Sequence, residues 1–248
     1  MNYLKNIIEN KLQLNYFILT QIQKEHLYDF TKNEDLRFLK YNSKNFYKLL
    51  LKSINSGFII KLHSWDYDNL KLEYSISSKL KNIINFNKYL CYFEYELNFI
   101  NYINNSNYID DDYYNDSSII LMHNYHSNSI SYIEEIHIYN IYTQFILSLY
   151  SAYYNYNIYF NSINIDLIFI IKNKVKRKYK YIINNKNIYL NNCKYKLIIS
   201  DISNFNISYD NFNIDDNILN IIQNLLIFNK KFKFFKKDLL KIKKKYMS

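Results

Sequence analysis

The side chains with the readiest chemistry are five His and two Cys. His26, His63, His123, His126 and His137 form no metal-ligand spacing with Cys91 or Cys193. The nearest approach is His123-x-x-His126, a loop pair without further ligands. Two cysteines exclude a disulfide framework and a four-thiolate zinc site. With a single Gly in the chain, no Walker-type phosphate loop can exist. A Ser/His/Asp triad cannot be argued from spacing. Three charged residues stand out by their neighbours. Lys61 follows Phe58-Ile59-Ile60, Glu73 opens an apolar-periodic segment, and Asp201 follows Leu197-Ile198-Ile199-Ser200. Taken singly, each has a structural explanation: a solvated strand end, a carboxylate favoured at a helix N-terminus, and a turn.

The elements around these residues follow from periodicity. Phe58 to Leu62 is short and β-branched and predicts a strand. Apolar residues at Leu72, Ile76, Leu80 and Ile83 predict a helix over 72–84. Tyr89 to Phe93 and Ser118 to Met122 predict strands. The segment from Ile138 to Tyr156 is largely apolar and too long for a strand, so it predicts a buried helix. Leu167 to Ile171, Ile188 to Leu190 and Leu197 to Ile199 predict short strands, and the chain turns helical again after Asp215. This order is an α+β pattern with two lobes. The acidic, Asn-rich stretch from Asn104 to Ser118 predicts a surface loop.

Composition bounds the rest. The chain has 248 residues, one Gly, no Pro, 29 Tyr and a net charge of +10. Its codon-linked bias toward Ile, Asn, Lys, Tyr and Phe fits an A/T-rich genome, so loss of a Gly from a motif carries little weight. Hydrophobic content of 49% supports a sizeable core. No stretch approaches the roughly 18 consecutive apolar residues of a membrane span, so no membrane partner is expected. The start, Met1 to Lys5, lacks the features of a signal peptide. Few cysteines make a reducing, intracellular compartment the default. From Asn229 to Ser248 there are nine Lys and one Asp, which leaves the remainder close to neutral. Phe232, Phe235, Leu239, Leu240 and Ile242 predict an amphipathic terminal helix there. The sharper alternative is a nucleic-acid contact by Lys230–Lys245.

In order and residues, the chain resembles a protein kinase, and more narrowly the haspin family. Phe58-Ile59-Ile60-Lys61 is similar to the strand whose Lys pairs a nucleotide's phosphates. Glu73-Tyr74-Ser75-Ile76-Ser77-Ser78-Lys79-Leu80 is similar to the haspin segment whose Glu orients that Lys. Ile119 to Tyr125 resembles the strand running into the hinge, with Asn124 and Tyr125 as hinge contacts to nucleotide. Tyr181-Ile182-Ile183-Asn184-Asn185-Lys186 resembles a haspin hairpin with Gly in place of Asn185. The run Ser200-Asp201-Ile202-Ser203 is closer to the haspin Asp-Tyr-Thr than to Asp-Phe-Gly, and makes Asp201 the metal-binding Asp. The resemblance covers roughly residues 40 to 205.

The resemblance implies a single domain over 1–248, a two-lobed kinase-like fold with a shortened C-lobe. The N-lobe would span about 1–123, the C-lobe about 124–228, and a basic helix or tail 229–248. It implies ATP and Mg²⁺ where nucleotide binding is retained, a histone H3 tail or other basic protein as partner, and the nucleus. Asp210, Asp215 and Asp216 are placed by rough position near the substrate pocket.

The departures are specific. Laid on without a gap, the catalytic loop falls on Phe160 to Leu167. Ser162 then takes the place of the catalytic Asp, and Leu167 that of the Mg²⁺-binding Asn. Ser cannot take the substrate proton as a carboxylate does, and Leu cannot ligate Mg²⁺. In an alternative register Asp166 serves as the Asp. Gln144 and Ala152 of the preceding helix favour the Ser162 register. Asn42 to Leu49, with Phe46 at its tip, stands where the Gly-rich loop would lie and has none of its Gly. Only 47 residues follow Asp201, so the activation segment is heavily shortened. These features predict a pseudokinase. The alternatives are a minimal active serine/threonine kinase and a basic RNA-binding or ribosomal structural protein. Concentration of charge in the tail favours the kinase-like readings over the last.

Overall fold

The computed structural model describes residues 36–41, 48–53, 58–64, 67–96, 116–123, 133–163, 168–200, 202, 204–208, 212–224 and 236–247. Side chains are described within these ranges except at 36–64, 67–70, 90, 91, 93–96, 116–123, 135 and 136. Asn124, Tyr125, Asp166, Leu167, Asp201 and Asp210 lie outside the described residues, as do Phe46, Phe232 and Phe235.

The chain is α+β. It divides into two compact units, Met1–Ser78 with Lys88–Asn124, and Lys79–Asn87 with Tyr125–Ser248. In the first unit, strands β1 (Leu36–Tyr41), β2 (Lys48–Ser53), β3 (Phe58–Ser64), β4 (Tyr89–Glu96) and β5 (Asp116–His123) form one sheet in the order β1-β2-β3-β5-β4. Every neighbouring pair is antiparallel. β3 lies at the centre, with Ile60 opposite Leu51 on one side and Leu121 on the other. Runs of Ile and Leu suit such a strand because both its edges are paired. β5 starts at Asp116, so the last three residues of the expected acidic loop are strand; 104–115 lie outside the described residues.

Helix α1 (Tyr67–Leu80) connects β3 to β4. It starts five residues before the expected helix and stops four before its end. Ile83 is buried, as the periodicity asked, but from a turn: its N–H donates to Leu80 O. The chain leaves the helix there because 85–87 run beside β8. Phe86 bridges Ile199 in parallel, Asn87 N–H donates to Ile199 O at 2.8 Å, and Ile199 N–H donates to Asn85 O at 2.7 Å.

The second unit is built on α2 (Glu135–Tyr156), strands β6 (Ile158–Phe160), β7 (Ile168–Ile183), β8 (Lys186–Ile199) and β9 (Phe205–Ile207), and helices α3 (Ile214–Asn224) and α4 (Lys236–Tyr246). From Ile141 to Ala152 every residue of α2 is buried. A helix apolar all round belongs in a core. Two of its buried hydroxyls are satisfied within the helix, Thr143 donating to Tyr139 O and Ser148 to Gln144 O. It ends at Asn157, whose φ of 56° caps Ala152 and Tyr153 carbonyls.

The three short strands expected after residue 166 are one long hairpin. β7 pairs β8 from Ile168 to Ile183 with an interruption at 173–176, and the turn is Asn184-Asn185, both at positive φ. Two central residues in that region make the hairpin turn that follows strand twist, and Asn tolerates it where Gly is scarce. Tyr179, Tyr181 and Ile183 face inward from β7, as do Ile188, Leu190 and Cys193 from β8. A bulge at Asn192, φ 58°, shifts the alternation and keeps Cys193 inside.

Candidate functional site

Glu73 lies on the first unit's helix and is only 3% exposed. A carboxylate is buried only where donors or cations reach it. One donor is Tyr89 at the start of β4, whose hydroxyl donates to Glu73 Oε1 at 2.5 Å. One turn along α1, Ser77 Oγ accepts from Tyr89 N–H at 3.1 Å. Tyr74 packs on Tyr92, ring centroids 6.0 Å apart. Residues four apart share a helix face, so Glu73 and Ser77 together clamp α1 onto β4. Lys61 sits in the central strand β3, in register with Leu50 and Ile120.

In the second unit, β6 and β9 bring together the two segments that the sequence marks for catalysis. Their antiparallel pairing sets Phe160 opposite Phe205. Beyond it, Asn161 N–H donates to Asn204 O, and Asn204 Nδ2 donates to Ser162 Oγ, each at 2.8 Å. Asn217 of α3 donates to Phe160 O at 2.9 Å. Ser162 is therefore an exposed hydroxyl held by Asn204. Just before Asp201, Ser200 is buried and its hydroxyl accepts from Asn87 Nδ2 at 2.5 Å. Just after it, Ile202 is buried. The backbone on both sides of Asp201 is thus held by the core.

A buried polar cluster supports this region. Asn85 Nδ2 donates to Leu197 O at 2.6 Å and to Gln144 Oε1 at 3.1 Å. Asn85 Oδ1 accepts from Tyr181 at 2.6 Å and Ser148 at 3.0 Å. Gln144 in turn donates to Tyr195 O and accepts from Leu197 N–H. Burial pushes the Tyr181 hydroxyl's pKa well above its ordinary value, so it stays a donor. Sequence reasoning used Gln144 for register and Tyr181 as the start of the hairpin motif. It missed Asn85, Asn87 and Asn204, because Asn is so common in this chain that no single one carries a signal.

Two of the acidic residues placed near a substrate pocket are spent on the fold. Asp215 accepts from Tyr150 at 2.7 Å and from Lys243 at 2.6 Å. Burial, then this bond, raises the Tyr150 pKa. Asn213 caps α3 by accepting from Asp216 N–H, and the Asp216 carboxylate accepts from Asn213 Nδ2 and lies 3.8 Å from Lys236. Among the described residues, no group of three or more His, Cys, Asp or Glu could hold a metal ion, and no helix is long and apolar enough to cross a membrane. Comparison with known proteins finds no family model that matches the chain and no matching curated protein.

Proposed function

We propose that the chain is a kinase-like protein of haspin type that has lost efficient phosphoryl transfer, a pseudokinase. The observation that carries the reading is the first unit's order of elements. A five-stranded antiparallel sheet runs β1-β2-β3-β5-β4, Lys61 lies on its third strand, and the next helix buries Glu73. Lys61 would neutralise phosphate charge and Glu73 would hold it in place. The β6–β9 pair and the β7–β8 hairpin, set around Ser162 and leading to Ser200, support the same reading.

The residues fit a nucleotide's phosphates better than its metal. Mg²⁺ prefers several oxygen ligands. Here the sequence offers Asp201 and sets Leu167 at the second ligand's position. Ser162 has no charge with which to orient a substrate hydroxyl. No transfer step is derived from this set.

The test is transfer of labelled phosphate from Mg-ATP to a histone H3 tail peptide, the substrate that the resemblance names, with Lys61→Ala beside the unaltered chain. The expected result is no transfer above background by either. Robust transfer abolished by Lys61→Ala would overturn the pseudokinase reading in favour of an active enzyme using Asp166. Binding in the nucleus would follow from the resemblance and is tested by imaging a tagged chain.

A further inference from the structure

We propose that the outer face of the β7–β8 hairpin is a binding surface for the phosphate backbone of a nucleic acid. It does not rest on the nucleotide-binding reading above. From Ile168 to Ile199 the chain carries nine Lys or Arg and no Asp or Glu. Lys172, Lys174, Lys176, Arg177, Lys178 and Lys180 all fall within nine residues, and all are exposed. Alternate strand residues lie about 6.6 Å apart on one face. Lys178 and Lys180 have that repeat, close to the spacing of successive phosphates along an extended strand, and Lys172, Lys174, Lys176 and Arg177 extend the basic surface beside them.

This surface is also held in shape. Lys172 pairs with Tyr195 but Arg177 with Cys193, so residues 173–176 form a bulge in the ladder. Asn173 pins the bulge from inside, donating to Cys193 O and to Tyr179 OH at 2.8 Å each. Tyr179 is buried beneath it. Preorganised cations lose less entropy on binding. Tyr189 is 43% exposed, and Lys178 Nζ lies 4.0 Å from its ring centroid. A basic ribbon with an aromatic beside it suits a nucleic acid. Among the described residues, the carboxylate that ion-pairs with this hairpin is Glu134, at its base, 3.2 Å from Lys194. A membrane surface is less well served, since the aliphatic side chains exposed on the hairpin are Val175 and Ile182 alone, few beside its cations for burial among lipid chains.

The test is fluorescence anisotropy of the full chain with labelled single-stranded RNA and duplex DNA of about 20 nucleotides, titrated between about 50 and 200 mM salt. Two variants remove equal charge. One replaces Lys174, Lys176, Arg177 and Lys180 with Gln, the other Lys237, Lys241, Lys244 and Lys245. Circular dichroism checks that both fold. The hairpin variant is expected to bind at least about tenfold more weakly, with a salt slope shallower by about 3. The tail variant is expected to change affinity less than about threefold. Binding of RNA alone or DNA alone supports the proposal and assigns the source. Equal loss in both variants, no binding by the unaltered chain, or equally tight binding of a poly-glutamate peptide or of vesicles rich in anionic lipid would overturn it.

Discussion

Two basic regions of this chain look alike in sequence and differ in structure. The C-terminal segment is the more conspicuous, with nine Lys between Asn229 and Ser248, six of them on helix α4. Yet Leu239 and Ile242 are buried, and its charge is partly neutralised. Lys243 bonds Asp215, Lys236 lies near Asp216, and Lys241 near Asp238. The β7–β8 hairpin has as many cations and no acidic residue of its own. Net charge counted over long windows hides it, because acidic residues elsewhere offset it. The view that positive charge sits in the tail alone is therefore corrected: the tail's cations help dock a helix, while those of the hairpin from Lys172 to Lys180 face solvent. Charge becomes available to a partner where the fold leaves it uncompensated, not where it is densest.

Substitutions can break each half of that contrast. The largest effect is expected from Asn85→Ala, which removes the partner of Tyr181, Ser148, Gln144 and Leu197 O at the hairpin's base. Buried groups left unsatisfied should cost about 3 kcal/mol together, read as a lower urea midpoint. A loss below about 1 kcal/mol would mean that the cluster does not hold the hairpin. Next, Ile242→Ala should cost about 2–3 kcal/mol, since its side chain is fully buried. A tail that merely floats would show no change.

A smaller effect concerns the junction of tail and core. Asp215→Asn loses a charged acceptor for both Tyr150 and Lys243 and should cost about 1–2 kcal/mol. The raised Tyr150 and Tyr181 pKa values add a pH test. The neutral phenols are favoured in the fold, so their contribution is full below the unfolded value of about 10 and is lost as pH rises above it. Denaturation at pH 9 and pH 11 should show falling stability, by up to about 1.4 kcal/mol per tyrosine per pH unit, and Tyr150→Phe should flatten the fall. The smallest effect is at Glu134, whose carboxylate pKa is lowered chiefly by its hydrogen bond to Lys194. This pair is exposed, and Glu134→Gln should leave thermal stability unchanged within error.

What the sequence revealed follows the same division. β3, β4, β5 and α2 were legible because short β-branched runs and a long apolar stretch have few other readings. β7 was read too short because its outward positions are lysines, which masks the inward alternation of Tyr179, Tyr181 and Ile183. α1 was read too far forward because Ile83 keeps the helical period while belonging to a turn. Lys61 and Glu73 were legible as a strand residue and a helix residue. The support of Ser162 by Asn204, and of Ser200 by Asn87, was not, since it depends on segments more than 40 residues apart meeting through β6–β9 and β8.

The central claim is a nucleotide-binding fold whose transfer machinery is impaired, and its most direct test is a titration of a fluorescent ATP analogue. The unaltered chain should bind it saturably, and Lys61→Ala should weaken binding by about tenfold, the effect of about 1.4 kcal/mol of lost phosphate contact. Absence of binding by the folded chain, or binding indifferent to Lys61, would contradict the account.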